Sequence, residues 1–88
     1  MSESIHVEHN VQQQCFSAVI DGYKAVLEYH AVGADAIDMH HTFVPNELRG
    51  KGVAAVLANE ALAYAKEQQL KVIPSCSYIA VYLQRHPQ

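Results

Sequence analysis

Thr42-Phe43-Val44-Pro45-Asn46-Glu47-Leu48-Arg49-Gly50-Lys51-Gly52-Val53-Ala54 is the stretch around which the chain is organised. An apolar run ends at a proline, which cannot continue a sheet ladder. A short polar turn follows, and Arg-Gly-Lys-Gly then opens an alanine-rich helix. Strand, glycine turn and helix start together form an anion cradle. The glycines let the backbone approach closely, and the first free N–H groups of the helix point at the anion, aided by the positive end of the helix dipole. Arg49 and Lys51 add formal positive charge at the same spot.

Upstream of this stretch the apolar residues alternate. Ile5 to His9 reads as a short strand, with residues 1–4 as a frayed terminus. Cys15 to Ile20 is a second strand, and Asp21-Gly22 is a two-residue hairpin signal. Tyr23 to His30 is the third strand and Ile37 to Val44 the fourth. Strict alternation along the fourth puts Asp38, His40 and Thr42 on one face, and Ile37, Met39, His41 and Phe43 on the other.

Downstream the period changes. Val53, Ala54, Val56, Leu57, Ala58, Ala61, Leu62 and Ala65 form a helical stripe between Lys51 and about Gln69. Leu70 to Pro74 is a fifth, short strand. Ser75 is the expected N-cap of a last helix, Cys76 to about Arg85, stopped by Pro87. The long helix between the fourth and fifth strands makes that pair parallel. The fold class is α+β: a mixed, mostly antiparallel five-stranded sheet with a crossover helix after strand four and a C-terminal helix.

The turn fits neither the dinucleotide fingerprint, whose third glycine position holds Ala55, nor the P-loop. Arg49-Gly50-Lys51-Gly52-Val53-Ala54, written Arg/Gln-x-x-Gly-x-Gly/Ala, resembles the pyrophosphate-binding signature of the GNAT superfamily of N-acetyltransferases. The order of elements matches that superfamily's three-layer-like core from its second strand onward, without the usual early helices. Pro74-Ser75-Cys76-Ser77-Tyr78 is similar to a segment of its short members.

The resemblance implies acetyl-CoA as cofactor. Its pantetheine arm would pair with the backbone of Thr42, Phe43 and Val44, and its pyrophosphate would rest on Arg49, Gly50, Lys51, Gly52, Val53 and Ala54. It implies an amine acceptor, a small molecule or a protein lysine, in an open cleft. A base on strand four would be His40 or His41, since a histidine suits proton removal near neutrality. Aligning the last helix with the superfamily's pattern places Tyr82 as the acid for the leaving thiolate, although Ser75 and Tyr78 depart from that pattern. Cys76 at a helix start is a candidate acetyl-accepting thiol. A CoA-binding or interaction module without catalysis is the alternative function.

The 88 residues make one domain, 50% hydrophobic and 17% charged. The net charge of -3 argues against nonspecific nucleic-acid binding. No apolar run approaches the roughly 20 residues of a membrane span, and Met1-Ser2-Glu3-Ser4 lacks the features of a signal peptide, so the expected location is cytoplasmic. Cys15 and Cys76 form no Cys-x-x-Cys pair, Cys15 reads as packing, and the six histidines have no zinc spacing. The edges of a small open sheet fit a monomer or a weak homodimer.

Overall fold

A computed structural model describes residues 5–86. The frayed terminus expected at residues 1–4 and the helix stop expected at Pro87 lie outside them. The described chain forms β1 (Glu8–Asn10), β2 (Cys15–Ile20), β3 (Tyr23–Val32), β4 (Ala36–Phe43), a 3-10 turn (Asn46–Leu48), α1 (Val53–Glu67), β5 (Lys71–Ile73) and α2 (Ser77–Arg85). The five strands lie side by side in chain order, antiparallel until the last pair, where β4 and β5 run parallel across the α1 crossover. This is the mixed α+β sheet that the sequence pattern indicates.

Local chemistry sets the boundaries. Asp21 and Gly22 both take positive φ, 53° and 82°, as a tight two-residue hairpin demands. β1 begins later than the alternation suggests, but Ile5 and Val7 still pack against the core ahead of it. α1 starts at Val53 rather than Lys51, because Gly52 is held in the left-handed region as its N-cap. It closes with Gln69 at φ 58°, which turns the Leu70 N–H back to the Ala65 carbonyl at 2.8 Å.

α1 buries Val53, Leu57, Ala58, Ala61, Leu62 and Ala65 against Phe16, Ala18, Ala25, Leu27, Ile37 and Met39, and Ile79 of α2 joins the same core. Its alanines let the helix approach the sheet closely. Both helices therefore cover one face. The other face carries Val19, Glu28, His30, Asp38 and Phe43 and has no helix over it among the described residues.

The fourth strand departs from strict alternation. Glu28 pairs with His41 but Tyr29 pairs with Met39, so His40 is an extra residue, a β-bulge. The bulge turns Thr42, opposite the fully buried Leu27, to the helix-covered face with Ile37 and Met39. His41 and Phe43, expected beside Ile37 and Met39, stand on the open face with Asp38 and His40.

The cap of the last helix also differs from expectation. Ser75 is outside the helix, its N–H closing a turn on the Ile73 carbonyl, and Cys76 is the N-cap. The reason is tertiary: the Cys76 N–H donates to the Met39 carbonyl at 2.9 Å, which holds Cys76 extended and delays the helix by one residue.

Candidate functional site

β4 and β5 pair only over Ala36–Asp38 and Lys71–Ile73. Beyond that, Cys76 takes the Met39 carbonyl, and among the described residues no strand pairs with the β5-facing edge of His40 to Phe43. The two chains separate there, and the gap opens into a cleft of about 340 Å³ lined by Thr42, Val44, Leu48, Arg49, Gly50, Gly52, Val53, Ala54, Ala55 and Tyr78.

Leu48, fully buried in the 3-10 turn, anchors the floor. Gly50 and Gly52 hold φ of 83° and 75°, and a Cβ at either would meet nothing within 4 Å. These positions need glycine for backbone conformation, and the space over the turn is open. The first rung of α1 is the Val56 N–H to the Gly52 carbonyl at 3.1 Å, which leaves the amides of Val53, Ala54 and Ala55 without an intrahelical acceptor. Arg49 lines the cleft, whereas the Lys51 ammonium leans to the Asp21 carboxylate of the β2–β3 hairpin at 3.7 Å.

At the other end of the cleft the Cys76 thiol donates to the Thr42 hydroxyl oxygen at 3.5 Å. Burial pushes this thiol up. The Thr42 hydroxyl and the backbone amides of Ile79, Tyr78 and Thr42 outweigh it, and the net displacement is downward from the ordinary thiol value. Cys15 is the contrast: burial and then the Glu28 carboxylate push its thiol up.

The remaining candidates are dispersed. Tyr82 does not line the cleft. It stacks on His86 at 4.3 Å, and Tyr78, one turn earlier, faces the cleft instead. His40 stacks on His30 at 4.0 Å, and His41 stands opposite Glu28, so both histidines lie across the sheet from Cys76. Leu48, Ala55 and Tyr78 line the cleft without being site candidates by sequence. Tyr78 follows Cys76 by two residues, so it falls in the first turn of the helix that Cys76 caps, and that spacing was the available signal.

The family model of the GCN5-related N-acetyltransferases matches residues 15–88. The chain belongs to that family. Protein NATD1 of Xenopus tropicalis is 40% identical over 88 residues, covering 98% of this chain and 81% of the relative. Protein NATD1 of Homo sapiens is 39% identical, over 94% of this chain and 75% of its own length. The solution structure of a GCN5-like protein from Staphylococcus aureus superposes with a TM-score of 0.72 at 28% identity, over 92% of this chain and 79% of that one.

A GCN5-related N-acetyltransferase domain is an acetyltransferase domain by family, and the cleft has the donor set for a CoA pyrophosphate: open glycine positions, free first-turn amides and the Arg49 guanidinium. Among the described residues no group of three or more His, Cys, Asp or Glu side chains is placed to hold a metal ion, and no helix is long and apolar enough to cross a membrane.

Proposed function

We propose that the chain transfers the acetyl group of acetyl-CoA to an amine. The observation that carries this is the convergence of three features on one cleft: the unpaired edge of β4, the Arg49–Ala54 turn, and the Cys76–Thr42 pair. Arg49 and the amides of Gly50, Gly52, Val53 and Ala54 would hold the pyrophosphate, the Lys51 amide being taken by the Leu48 carbonyl at 3.3 Å, and the backbone of Thr42, Phe43 and Val44 would pair with the pantetheine arm. The bound cofactor supplies an acetyl thioester.

In this reading Cys76 is the nucleophile that receives that acetyl group, a role supported by its contact with Thr42 at the end of the cleft. Its thiolate, stabilised by the Thr42 hydroxyl, would take the acetyl group from the thioester that bound acetyl-CoA supplies, and the Tyr78 hydroxyl or solvent would give the proton that the departing thiolate needs. An unprotonated amine then attacks the new thioester on Cys76, losing a proton as the amide forms and the cysteine thiol is restored. Tyr82, His40 and His41 have no part in these steps.

A CoA-binding module without transfer is the second reading. It is favoured by the placement of His40 and His41 across the sheet from Cys76, which leaves no histidine base in the cleft among the described residues. Incubation with acetyl-CoA and no amine, followed by peptide mass spectrometry, separates the two. Acetyl on Cys76, discharged by an added amine, establishes transfer. Saturable binding of acetyl-CoA with Cys76 unmodified and no amine acetylated establishes the module.

A further inference from the structure

A separate groove lies on the helix-covered face, away from the cleft. It holds about 400 Å³ and is lined by Leu62 and Lys66 of α1, Leu70 of the connection to β5, Val72 of β5 and Leu83 of α2. It shares no lining residue with the cleft. α1 serves both sites: its first turn borders the cleft with Val53, Ala54 and Ala55, and its C-terminal half borders the groove. At the rise of an α-helix, Val53 and Leu62 are about 14 Å apart. The volume falls within the range of sites for small organic ligands, roughly 300–1,000 Å³.

Every lining side chain but Lys66 is aliphatic. Leu62 is buried, and Leu70, Val72 and Leu83 are half-buried against the core. Water in the groove meets hydrocarbon on most of its walls, which favours an apolar occupant. Lys66 follows Leu62 by four residues, so its stem runs along the same flank of α1. Its place in the last turn suits the helix dipole, but no carboxylate pairs with its ammonium: the ion pairs of the described residues join Lys51 to Asp21 and His6 to Glu8. A hydrocarbon trough with an unpaired cation at its rim complements a molecule with a hydrocarbon body and an anionic end. A peptide would bring a main-chain amide with each side chain, and the aliphatic walls offer those amides no partner. Attraction of an anion here is local, since the net charge of -3 opposes anions over the molecule as a whole.

We propose that this groove binds an aliphatic carboxylate of medium chain length, with its hydrocarbon chain on Leu62, Leu70, Val72 and Leu83 and its carboxylate on the Lys66 ammonium. The site stands apart from acetyl transfer, at the other end of the helix whose start forms the cleft. Each methylene that enters the groove strengthens binding by about two- to fourfold until the groove is full.

NMR titration of the protein, labelled at its Leu and Val methyls, with hexanoate, octanoate and octanol tests this. Octanoate is expected to shift the methyls of Leu62, Leu70, Val72 and Leu83 saturably and to leave those of Val44, Leu48 and Val53 in the cleft in place. It should bind about four- to fifteenfold more tightly than hexanoate, and at least about threefold more tightly than octanol, which has the same chain length without the charge. Lys66→Met keeps an unbranched stem and should remove the advantage over octanol. Lys71→Met, one residue from Val72 and so on the opposite face of β5, should leave that advantage in place. Octanoate binding no tighter than hexanoate or octanol, an advantage that survives Lys66→Met, shifts centred on the cleft, or no saturable shift at all overturns the proposal. No cofactor takes part in the titration, so its outcome is separate from whether the chain binds acetyl-CoA or transfers its acetyl group.

Discussion

Cys76 and Thr42, far apart in sequence, meet with 3.5 Å between thiol sulfur and hydroxyl oxygen. The pair exists because a bulge turns one residue inward and a main-chain bond to Met39 holds the other at the mouth of α2. The hydroxyl that accepts from the thiol can rotate and donate once the thiol ionises, and so it favours the thiolate.

Alkylation with iodoacetamide should therefore modify Cys76 at a pH below the ordinary thiol midpoint, and Cys15 only above it. Thr42→Val should move the Cys76 midpoint upward and leave that of Cys15 in place. Peptide mass spectrometry across a pH series resolves the two sites. A Cys76 midpoint unmoved in the variant would rule out the hydroxyl as the stabilising group.

The two cations of the turn should differ in effect. Arg49 lines the cleft, while Lys51 is drawn to Asp21. By calorimetry, Arg49→Glu should weaken acetyl-CoA binding by at least about tenfold, because it replaces an attractive charge with a repulsive one. Lys51→Met should cost less than about threefold, in keeping with an exposed ion pair.

Gly52→Ala should leave the fold intact and lower its stability by about 1 kcal/mol, the cost of a left-handed L-residue. No neighbour stands within 4 Å of the added Cβ, so strain alone acts. Chemical denaturation measures it. A loss several times larger would reveal a steric clash that the structure does not contain.

His9 stacks on Phe16 at 3.9 Å and shares a 2.6 Å hydrogen bond with the Tyr29 hydroxyl. Burial lowers the His9 pKa below its ordinary value. The unfolded chain therefore binds a proton there before the folded chain does. The His9 contribution to stability is present above about pH 6.5 and is lost as pH falls from there toward the folded value. Thermal unfolding from pH 8 to 5 should show this acid limb, and it should flatten in His9→Gln. Burial likewise pushes Tyr29 up to about 12, so its contribution is lost as pH rises above about 10.

Much of this architecture follows from short-range chemistry and was visible in the sequence. Asp21-Gly22 specifies its hairpin, the alanine stripe specifies α1, and the glycine turn marks the cleft. What could not be seen depends on long-range pairing. Nothing in Asp38-Met39-His40-His41-Thr42 announces that His40 is surplus, since every residue there tolerates either face of a strand; the extra residue shows only against β3. Ser75 is the better N-cap by intrinsic preference, yet Cys76 takes the position because its amide has a partner on another strand. The superfamily pattern of the last helix points to Tyr82, whereas the side chain lining the cleft is Tyr78, a position at which this sequence departs from that pattern.

The strand order has a consequence for how the molecule comes into being. Because the strands neighbour one another in chain order, each antiparallel pair can close as soon as its second strand exists, across a turn of a few residues. Only the β4–β5 pairing must wait for an entire helix to be laid down and docked. Cys76 reaches Thr42 through that final pairing. The Cys76 thiol is thus withheld from the Thr42 hydroxyl until the rest of the sheet is in place, and a nascent or partly opened chain carries a cysteine without that partner.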